Sequence, residues 1–201
     1  DELQRLVPRA RLGLADAIRA AIEADRQNSV IARWVEGSIA CRNFRPEYAF
    51  YAKREGATAQ GTADADRVFA TVCTIGGEDG WFYANLLWWI RGACDWVVGG
   101  PSFRRKRRHP TELRVGDVVD SWRVIALEPG RRLTLLMEMK APGAGVLEFV
   151  VQPQRTGASV SATAYWHPAG VWGLVYWYAL IPAHAFIFRG LTRAIIRRAS
   201  R

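Results

Sequence analysis

The chain has 201 residues, enough for one well-packed domain with a short additional segment but too few for two full-sized domains to fit easily. Half of the residues are hydrophobic and 23% are charged, a balance that is typical of globular proteins and excludes a disordered chain. The net charge of +9 is compatible with anionic partners but says nothing about the fold.

Residues 1–44 are predicted to form a leading segment outside the main core. Within this segment, Leu14, Ile18 and Ile22 are spaced by four with charged residues between them, which predicts a short amphipathic helix over residues 14–25. The sequence begins at Asp1 rather than at a methionine and shows no signal-peptide pattern. We therefore expect it to be a fragment of a longer protein.

The following segment predicts one strand and two helices. Residues 49–61 alternate as a strand does and end in glycine. Asp64 can then cap a helix whose apolar residues recur three or four apart until Gly76 stops it. Helical spacing resumes over residues 81–100, where the apolar face is too wide for a single buried stripe.

Between Leu113 and His167 the hydrophobic period changes to two. The breaks "EPGRR", "APGAG" and "QPQRTGA" divide this region into four strand-length runs, and such short connections imply antiparallel neighbours. Parity puts one set of side chains on the inward face of the first run, and Asp120 falls on that face with them. The set is Trp122, Val124 and Ala126.

The C-terminal region predicts one long helix. Arg189, Arg193 and Arg197 are spaced by four, opposite a row of apolar residues, as in an amphipathic helix. Residues 169–188 carry no formal charge, which approaches the description of a membrane span, although Pro182 weakens that interpretation. The element order predicts an α+β fold in which a curved antiparallel sheet wraps around the terminal helix. An internal cavity between sheet and helix would suit apolar ligands.

Several motifs resemble a known family. "GWFYANLLWWIRGACDWVVGG", "RRHPTELRVGDVVDSWRV", "LEPGRRLTLLMEMKAPG" and "WHPAGVWGLVYWYALIPAHAFIFRGL", in this order, look like a bacterial domain-of-unknown-function family with the START-like (SRPBCC, polyketide-cyclase-like) helix-grip fold. The resemblance covers about residues 45–198. It implies a helix-grip domain over residues 45–201, and a position C-terminal to an NAD(P)-binding domain of the atypical short-chain dehydrogenase type.

The family arrangement also bears on cofactors. In it, residues 1–44 would be the tail of a missing upstream dehydrogenase-like domain, and NAD(P) would belong to that domain. This chain contains no G-x-G-x-x-G after a strand, so no cofactor is assigned to it. His109, His167 and His184 are too scattered to predict a metal site. The three cysteines, Cys41, Cys73 and Cys94, are widely spaced and are expected to be small buried residues.

The candidate ligand-binding residues are those that parity and helical spacing turn towards the predicted cavity. They are Trp88, Asp120, Trp122, Leu135, Met137, Phe149, Trp166, Tyr176 and His184. Asp120 is the best catalytic candidate, because a buried carboxylate must be hydrogen-bonded or neutralised and could orient a polar group of a ligand. The alternative is that Asp120 lies near a strand end and caps a neighbouring backbone group.

A basic run follows the helix of residues 81–100. Its members could bind phosphates of an anionic lipid or of a dinucleotide, or could form a solvated loop. They are Arg104, Arg105, Lys106, Arg107 and Arg108. Nucleic acid is a weaker alternative, because the tryptophans lie upstream of the basic residues rather than among them.

Three functional hypotheses remain. The first is a cytoplasmic domain that binds a small apolar or aromatic molecule for a dehydrogenase-like partner domain. The second is an enzyme of the cyclase, dehydratase or isomerase type acting through Asp120 in the same cavity. The third is a peripheral membrane or lipid-binding protein at the inner membrane, held by exposed tryptophans and the basic run.

Overall fold

The computed structural model describes residues 13–26, 53–78, 80–100 and 107–201. The chain divides into two units, residues 1–36 and residues 37–201, which are considered separately. In the first unit, helix α1 spans Leu14–Arg26, in agreement with the predicted amphipathic helix. Its apolar stripe is largely solvent-exposed, from 49% at Ile22 to 80% at Leu14.

The second unit contains six strands and three helices within its described residues. Their bounds in chain order are β1 Lys53–Gly61, α2 Ala65–Cys73, α3 Asn85–Val97, β2 Val118–Val119, β3 Trp122–Glu128, β4 Arg132–Met137, β5 Gly143–Gln154, β6 Gly157–Pro168 and α4 Gly170–Ala199. The strands form one antiparallel sheet in the order β1-β6-β5-β4-β3-β2. The α+β helix-grip prediction is confirmed: a curved sheet packs against a long terminal helix.

Helix α2 begins as the sequence predicts. The Asp64 carboxylate accepts a hydrogen bond from the Arg67 backbone N–H at 2.7 Å, which satisfies one of the free amides of the first turn. The helix buries Val68 and Val72 against the sheet and α4, and it ends at Cys73. Gly76, with φ +70°, then turns the chain away.

Helix α3 differs from the prediction in its start and in its orientation. It begins at Asn85 rather than at residue 81, because Phe82 and Ala84 adopt left-handed backbone angles that no α-helix continues through. The apolar residues Leu86 and Trp89 face solvent, 68% and 61% exposed, whereas Gly92 and Asp95 are buried. The predicted wide apolar face is therefore mostly on the outside of the molecule.

The four predicted strand runs correspond to β3, β4, β5 and β6, separated at the three predicted breaks. One parity assignment is wrong. The register of β3 against β4 shifts between Val124 and Ala126, so that Ala126 pairs with Thr134 while Leu127 pairs with Leu133. This bulge adds a residue to β3 and replaces Ala126 by Leu127 on the core face.

Helix α4 is 30 residues long and includes Pro182. Its C-terminal half is amphipathic as predicted, with Arg189, Arg193 and Arg197 exposed. On the other face, Leu191 and Ile195 are completely buried in the core formed with α2 and the sheet. The first half of α4 packs much less closely, and this difference creates the candidate site.

Candidate functional site

A cavity of about 470 Å³ lies between α3, the ends of β3 to β6 and the first half of α4. Its volume falls in the range of small-molecule sites. The wall is almost entirely apolar: Met137 and Trp166 contribute from the sheet, Leu180 and Ala183 from α4. Desolvation of an apolar guest is the main interaction that such a wall offers.

Six of the nine predicted ligand-binding residues lie on the cavity wall. They are Trp88, Trp122, Met137, Trp166, Tyr176 and His184. They come from helix α3, three different strands and helix α4, so the fold brings together residues that are far apart in sequence. Their contact with a ligand stays a prediction.

Leu135 and Phe149 share the inward face of the sheet but do not reach the cavity. Both are completely buried and belong to the same core cluster as Leu191 and Ile195. Strand parity correctly gives their face. It does not give their position along the strands, and helix α2 packs over β4 and β5 in this part of the core.

Asp120 lies in the two-residue turn of the β2–β3 hairpin rather than on the cavity wall. Its φ of +55° is the left-handed conformation that such turns need and that Asp tolerates. Its carboxylate accepts a hydrogen bond from Trp81 Nε1 at 3.1 Å. Burial raises the pKa of Asp120, while the hydrogen bonds from Trp81 and Ser121 act in the opposite direction.

Trp81 connects Asp120 to the cavity, and no pattern in the sequence singled out this residue. Its ring stacks on Trp88 with centroids 4.2 Å apart, and it meets Trp122 edge-on at 6.1 Å. Trp88 and Trp122 both line the cavity. Asp120 therefore orients part of the wall through Trp81 and is a positioning residue.

His184 lies in an aromatic setting on α4. Its ring centroid is 5.1 Å from that of Trp177 and 5.5 Å from that of Phe188. Burial lowers the pKa of His184 to about 4, so the imidazole is neutral at neutral pH. Within the described parts of the chain, no hydrogen-bond partner is found for His184 Nδ1, Trp88 Nε1 or Trp122 Nε1.

Asp95 is a second residue that sequence reasoning missed. It is completely buried, and its carboxylate accepts a hydrogen bond from the Lys140 backbone N–H at 2.7 Å. A side chain at Gly100 would place its Cβ 2.1 Å from Asp95 Oδ1, so glycine is required there. The available sequence signal was a lone carboxylate within the apolar run of α3. A carboxylate is buried only where hydrogen bonds or an opposite charge compensate it.

The cavity opens along α3. Four wall residues on α3 and at its end are also exposed to solvent, namely Leu87, Ile90, Cys94 and Val98. The expectation that Cys94 is buried is therefore wrong, because α3 turns this side towards the opening. Cys73 is buried as expected, and burial raises the pKa of its thiol to about 11. Cys41 lies outside the described residues.

The described part of the basic run has a structural role. Arg107 donates hydrogen bonds to the carbonyl oxygens of Ile75 and Cys73, which holds the end of α2. Arg108 forms a two-pronged ion pair with Asp117, with Nε–Oδ1 at 3.0 Å and Nη2–Oδ2 at 3.1 Å. These contacts engage both guanidinium groups within the fold, and phosphate binding by Arg107 and Arg108 stays a prediction. Arg104, Arg105 and Lys106 lie outside the described residues.

Within the described residues, no group of three or more His, Cys, Asp and Glu side chains is arranged to hold a metal ion. The polar wall residues are instead scattered. Arg91 and Lys140 stand near the opening, and His184 lies deeper on α4. The arrangement offers apolar contact with a few isolated polar atoms.

The fold and cavity define a helix-grip domain with an apolar interior site. The profile of a family described as "Protein of unknown function (DUF2867)" matches residues 47–191, so the chain belongs to that family. No curated protein matches this chain.

Solved structures with similar folds were also found. The aromatase/cyclase Zhui from Streptomyces sp. R1128 is 16% identical, covers 75% of this chain and 95% of its own, and has a TM-score of 0.46. CalU16 from Micromonospora echinospora is 15% identical over 74% of this chain and 85% of its own, with a TM-score of 0.37. A Mesorhizobium loti protein is 12% identical over 72% of this chain and 98% of its own, with a TM-score of 0.42.

Proposed function

We propose that this domain binds a small apolar or aromatic molecule in the cavity beside α3 and α4. The observation that carries the proposal is the cavity itself, about 470 Å³ enclosed by aromatic and aliphatic side chains. Exposed apolar residues at its opening on α3 give such a molecule an entrance. Burying the guest's apolar surface contributes about 25 cal/mol per Å².

The chemistry of the wall narrows the ligand class. Unpartnered N–H groups at Trp88 and Trp122 favour a guest with a hydrogen-bond acceptor, such as a carbonyl or phenolic oxygen, over a pure hydrocarbon. His184 is neutral because its pKa is lowered to about 4, so a charged guest gains no ion pair from it. The proposed ligand is therefore largely apolar, with one or two oxygen atoms, and any charge it carries is paired near the opening, where Arg91 and Lys140 lie, rather than at His184.

A matched pair of α4 variants tests the proposal. Ala183 lines the cavity, whereas Ala179 is exposed and does not, so Ala183→Trp fills the space and Ala179→Trp does not. The probe is the neutral fluorophore N-phenyl-1-naphthylamine. We expect saturable binding to the parent protein, at least about tenfold weaker binding to Ala183→Trp, and unchanged binding to Ala179→Trp. Equal binding by all three proteins would show that the probe does not occupy this cavity.

We also propose that the domain works in the cytoplasm beside an NAD(P)-binding, dehydrogenase-like domain. The support is the sequence resemblance, in which such a domain precedes the helix-grip domain. A longer polypeptide that includes the preceding region should bind NADH at one saturable site, which a titration followed by the change in NADH fluorescence measures. An upstream sequence without a glycine-rich strand-to-helix turn would exclude this part of the proposal.

The enzyme alternative through Asp120 has less support than binding. Asp120 contacts Trp81 rather than the cavity, and His184 is the only imidazole among the described wall residues. Acid–base catalysis needs a group within hydrogen-bond reach of the reacting atoms. We expect Asp120→Asn to retain probe binding within about threefold, since it acts only by positioning Trp81.

A further inference from the structure

The solvent-facing side of α4 is one continuous stripe with two chemically different halves. Its members recur at helical spacing of three or four and are all exposed. In order, they are Val171, Val175, Tyr178, Pro182, Phe186, Arg189, Arg193 and Arg197. The first five are apolar or aromatic, and the last three are arginines.

The apolar half of the stripe is unusually open to solvent for so hydrophobic a helix. Val171 is 72% exposed, Tyr178 is 56% exposed, and the neighbouring Trp172 is 77% exposed. By length and composition α4 could cross a membrane, with a mean hydropathy of 1.5, yet only 22% of its most apolar 18-residue window is buried. A helix in the core of a soluble protein with this composition would be mostly buried, so this surface is suited to an apolar environment outside the chain.

Among the residues that the structure describes, the arginine half of the stripe has no acidic partner. No acidic side chain in the described part of the chain forms an ion pair with Arg189, Arg193 or Arg197, and like charges at i and i+4 repel one another. The chain as a whole carries a net charge of +9. An anionic surface beside this row would therefore be stabilising.

We propose that α4 docks on an anionic lipid bilayer. The apolar half, with Trp172 and Tyr178, enters the boundary between headgroups and acyl chains, while the three arginines bind headgroup phosphates. A second copy of the chain fits less well, because it would bring two molecules of net charge +9 into contact. This inference stands on a surface distinct from the cavity and goes beyond the proposed ligand binding.

The basic element of this surface differs from the one expected from sequence. The run at residues 104–108 suggested anion binding because its charges are consecutive. Arg107, however, donates to the Cys73 carbonyl oxygen at the end of α2, and Arg108 pairs with Asp117. The arginines of α4 are dispersed in sequence, and only the helical repeat places them in one row.

Flotation with vesicles tests the proposal on the chain as it stands, using phosphatidylcholine vesicles with and without phosphatidylglycerol. The row variant is Arg189→Gln/Arg193→Gln/Arg197→Gln. The control, Lys53→Gln/Arg131→Gln/Arg155→Gln, removes the same charge from exposed positions on β1 and two hairpin turns. The apolar variant is Val171→Ser/Trp172→Ser/Val175→Ser. Circular dichroism melting checks that all four proteins are folded.

We expect the parent protein to float with anionic vesicles at low salt and to be released by high salt. The row variant should bind on the order of a hundredfold more weakly, about fivefold per arginine, while the control keeps most of its binding. The apolar variant should lose binding although its charge is unchanged. Absence of flotation at low salt, or equal losses in the row and control variants, would overturn the proposal. The proposal would also be overturned if the parent protein bound no vesicles and formed a stable dimer in sedimentation velocity that the apolar variant abolished.

Discussion

The two halves of α4 run along the same sheet and meet very different surroundings. The C-terminal half buries Leu191, Thr192 and Ile195 completely, whereas the first half exposes Val171 and Trp172 and borders a cavity. The difference shows that one helix fills the core at one end and borders an open cavity at the other. The packed half is expected to carry most of the folding free energy.

Details of the C-terminal half explain why, among the described residues, no cavity forms between it and the sheet. A Cβ at Gly61 would lie 2.3 Å from Ile196 Cγ2, so glycine in β1 allows the helix to approach closely. The hydroxyl of Thr192 donates to the Phe188 carbonyl oxygen at 2.9 Å, which satisfies a polar group inside the core. In the first half, the rings of Trp166 on the sheet and Tyr176 on the helix contact each other, with centroids 5.1 Å apart.

Truncating one leucine in each half of α4 tests whether the two halves differ in packing. Leu191→Ala should lower the free energy of unfolding by about 3 kcal/mol, because it removes a completely buried side chain and leaves a new void. Leu180→Ala, on the cavity wall, should cost about 1 kcal/mol or less, since the space beside it is already open. Urea denaturation measures both. Equal losses would mean that the two halves pack equally well.

Acid should weaken the open half through His184. Its pKa is lowered to about 4 in the folded protein, against an unfolded value near 6.5. The unfolded chain therefore takes up a proton that the folded chain does not, and stability is fully present above pH 6.5 and falls as the pH drops towards 4. The loss should reach about 3 kcal/mol across this window.

Denaturation at a series of pH values measures the contribution of His184, with His184→Gln as the comparison. The difference in unfolding free energy between parent and variant should change across that window and stay constant above it. A difference that does not vary with pH would show that the imidazole is not shielded from solvent.

Asp95 should determine whether α3 stays attached beside the cavity. Asp95→Asn weakens the charged acceptor of the Lys140 N–H and should cost about 2 kcal/mol. Hydrogen exchange of the α3 amides should accelerate more than exchange in α2. Glu112→Gln, at an exposed position, is the control and should change neither. Uniform acceleration across the whole domain would indicate general destabilisation rather than release of α3.

The smallest expected effect concerns the tryptophan cluster. Trp81→Phe removes the donor to Asp120 while keeping an aromatic ring against Trp88, and should cost about 1 kcal/mol. Binding of N-phenyl-1-naphthylamine should weaken by less than about fivefold, because the ring still supports the wall. A complete loss of probe binding would instead make Trp81 part of the binding surface itself.

Sequence periodicity predicted the elements well and the site only in part. Strand parity gave the core face of β4 and β5, because alternation is a local property of extended chain. It failed at Ala126, where a bulge changes the register, and at Asp120, where a hairpin turn replaces the strand. Neither the bulge nor the hairpin turn changes the alternation of apolar and polar residues along the sequence.

The misses among the site residues have a common cause. Leu135 and Phe149 have the right face but lie in the filled core rather than at the cavity, since the position of the core along a strand is set by tertiary packing. Trp81 and Asp95 matter through partners that are distant in sequence, Asp120 and Lys140. Spacing within one element cannot show such pairings.

The proposed ligand binding depends on an apolar interior space beside the first half of α4. A crystal structure of the protein under xenon pressure tests it most directly, because xenon occupies apolar cavities without needing a specific ligand. We predict ordered xenon among Trp88, Met137 and Leu180 and none among Leu135, Phe149 and Leu191. If side chains close the space between α3 and α4 and no xenon binds there, the domain has no such interior cavity and the proposed ligand site is wrong.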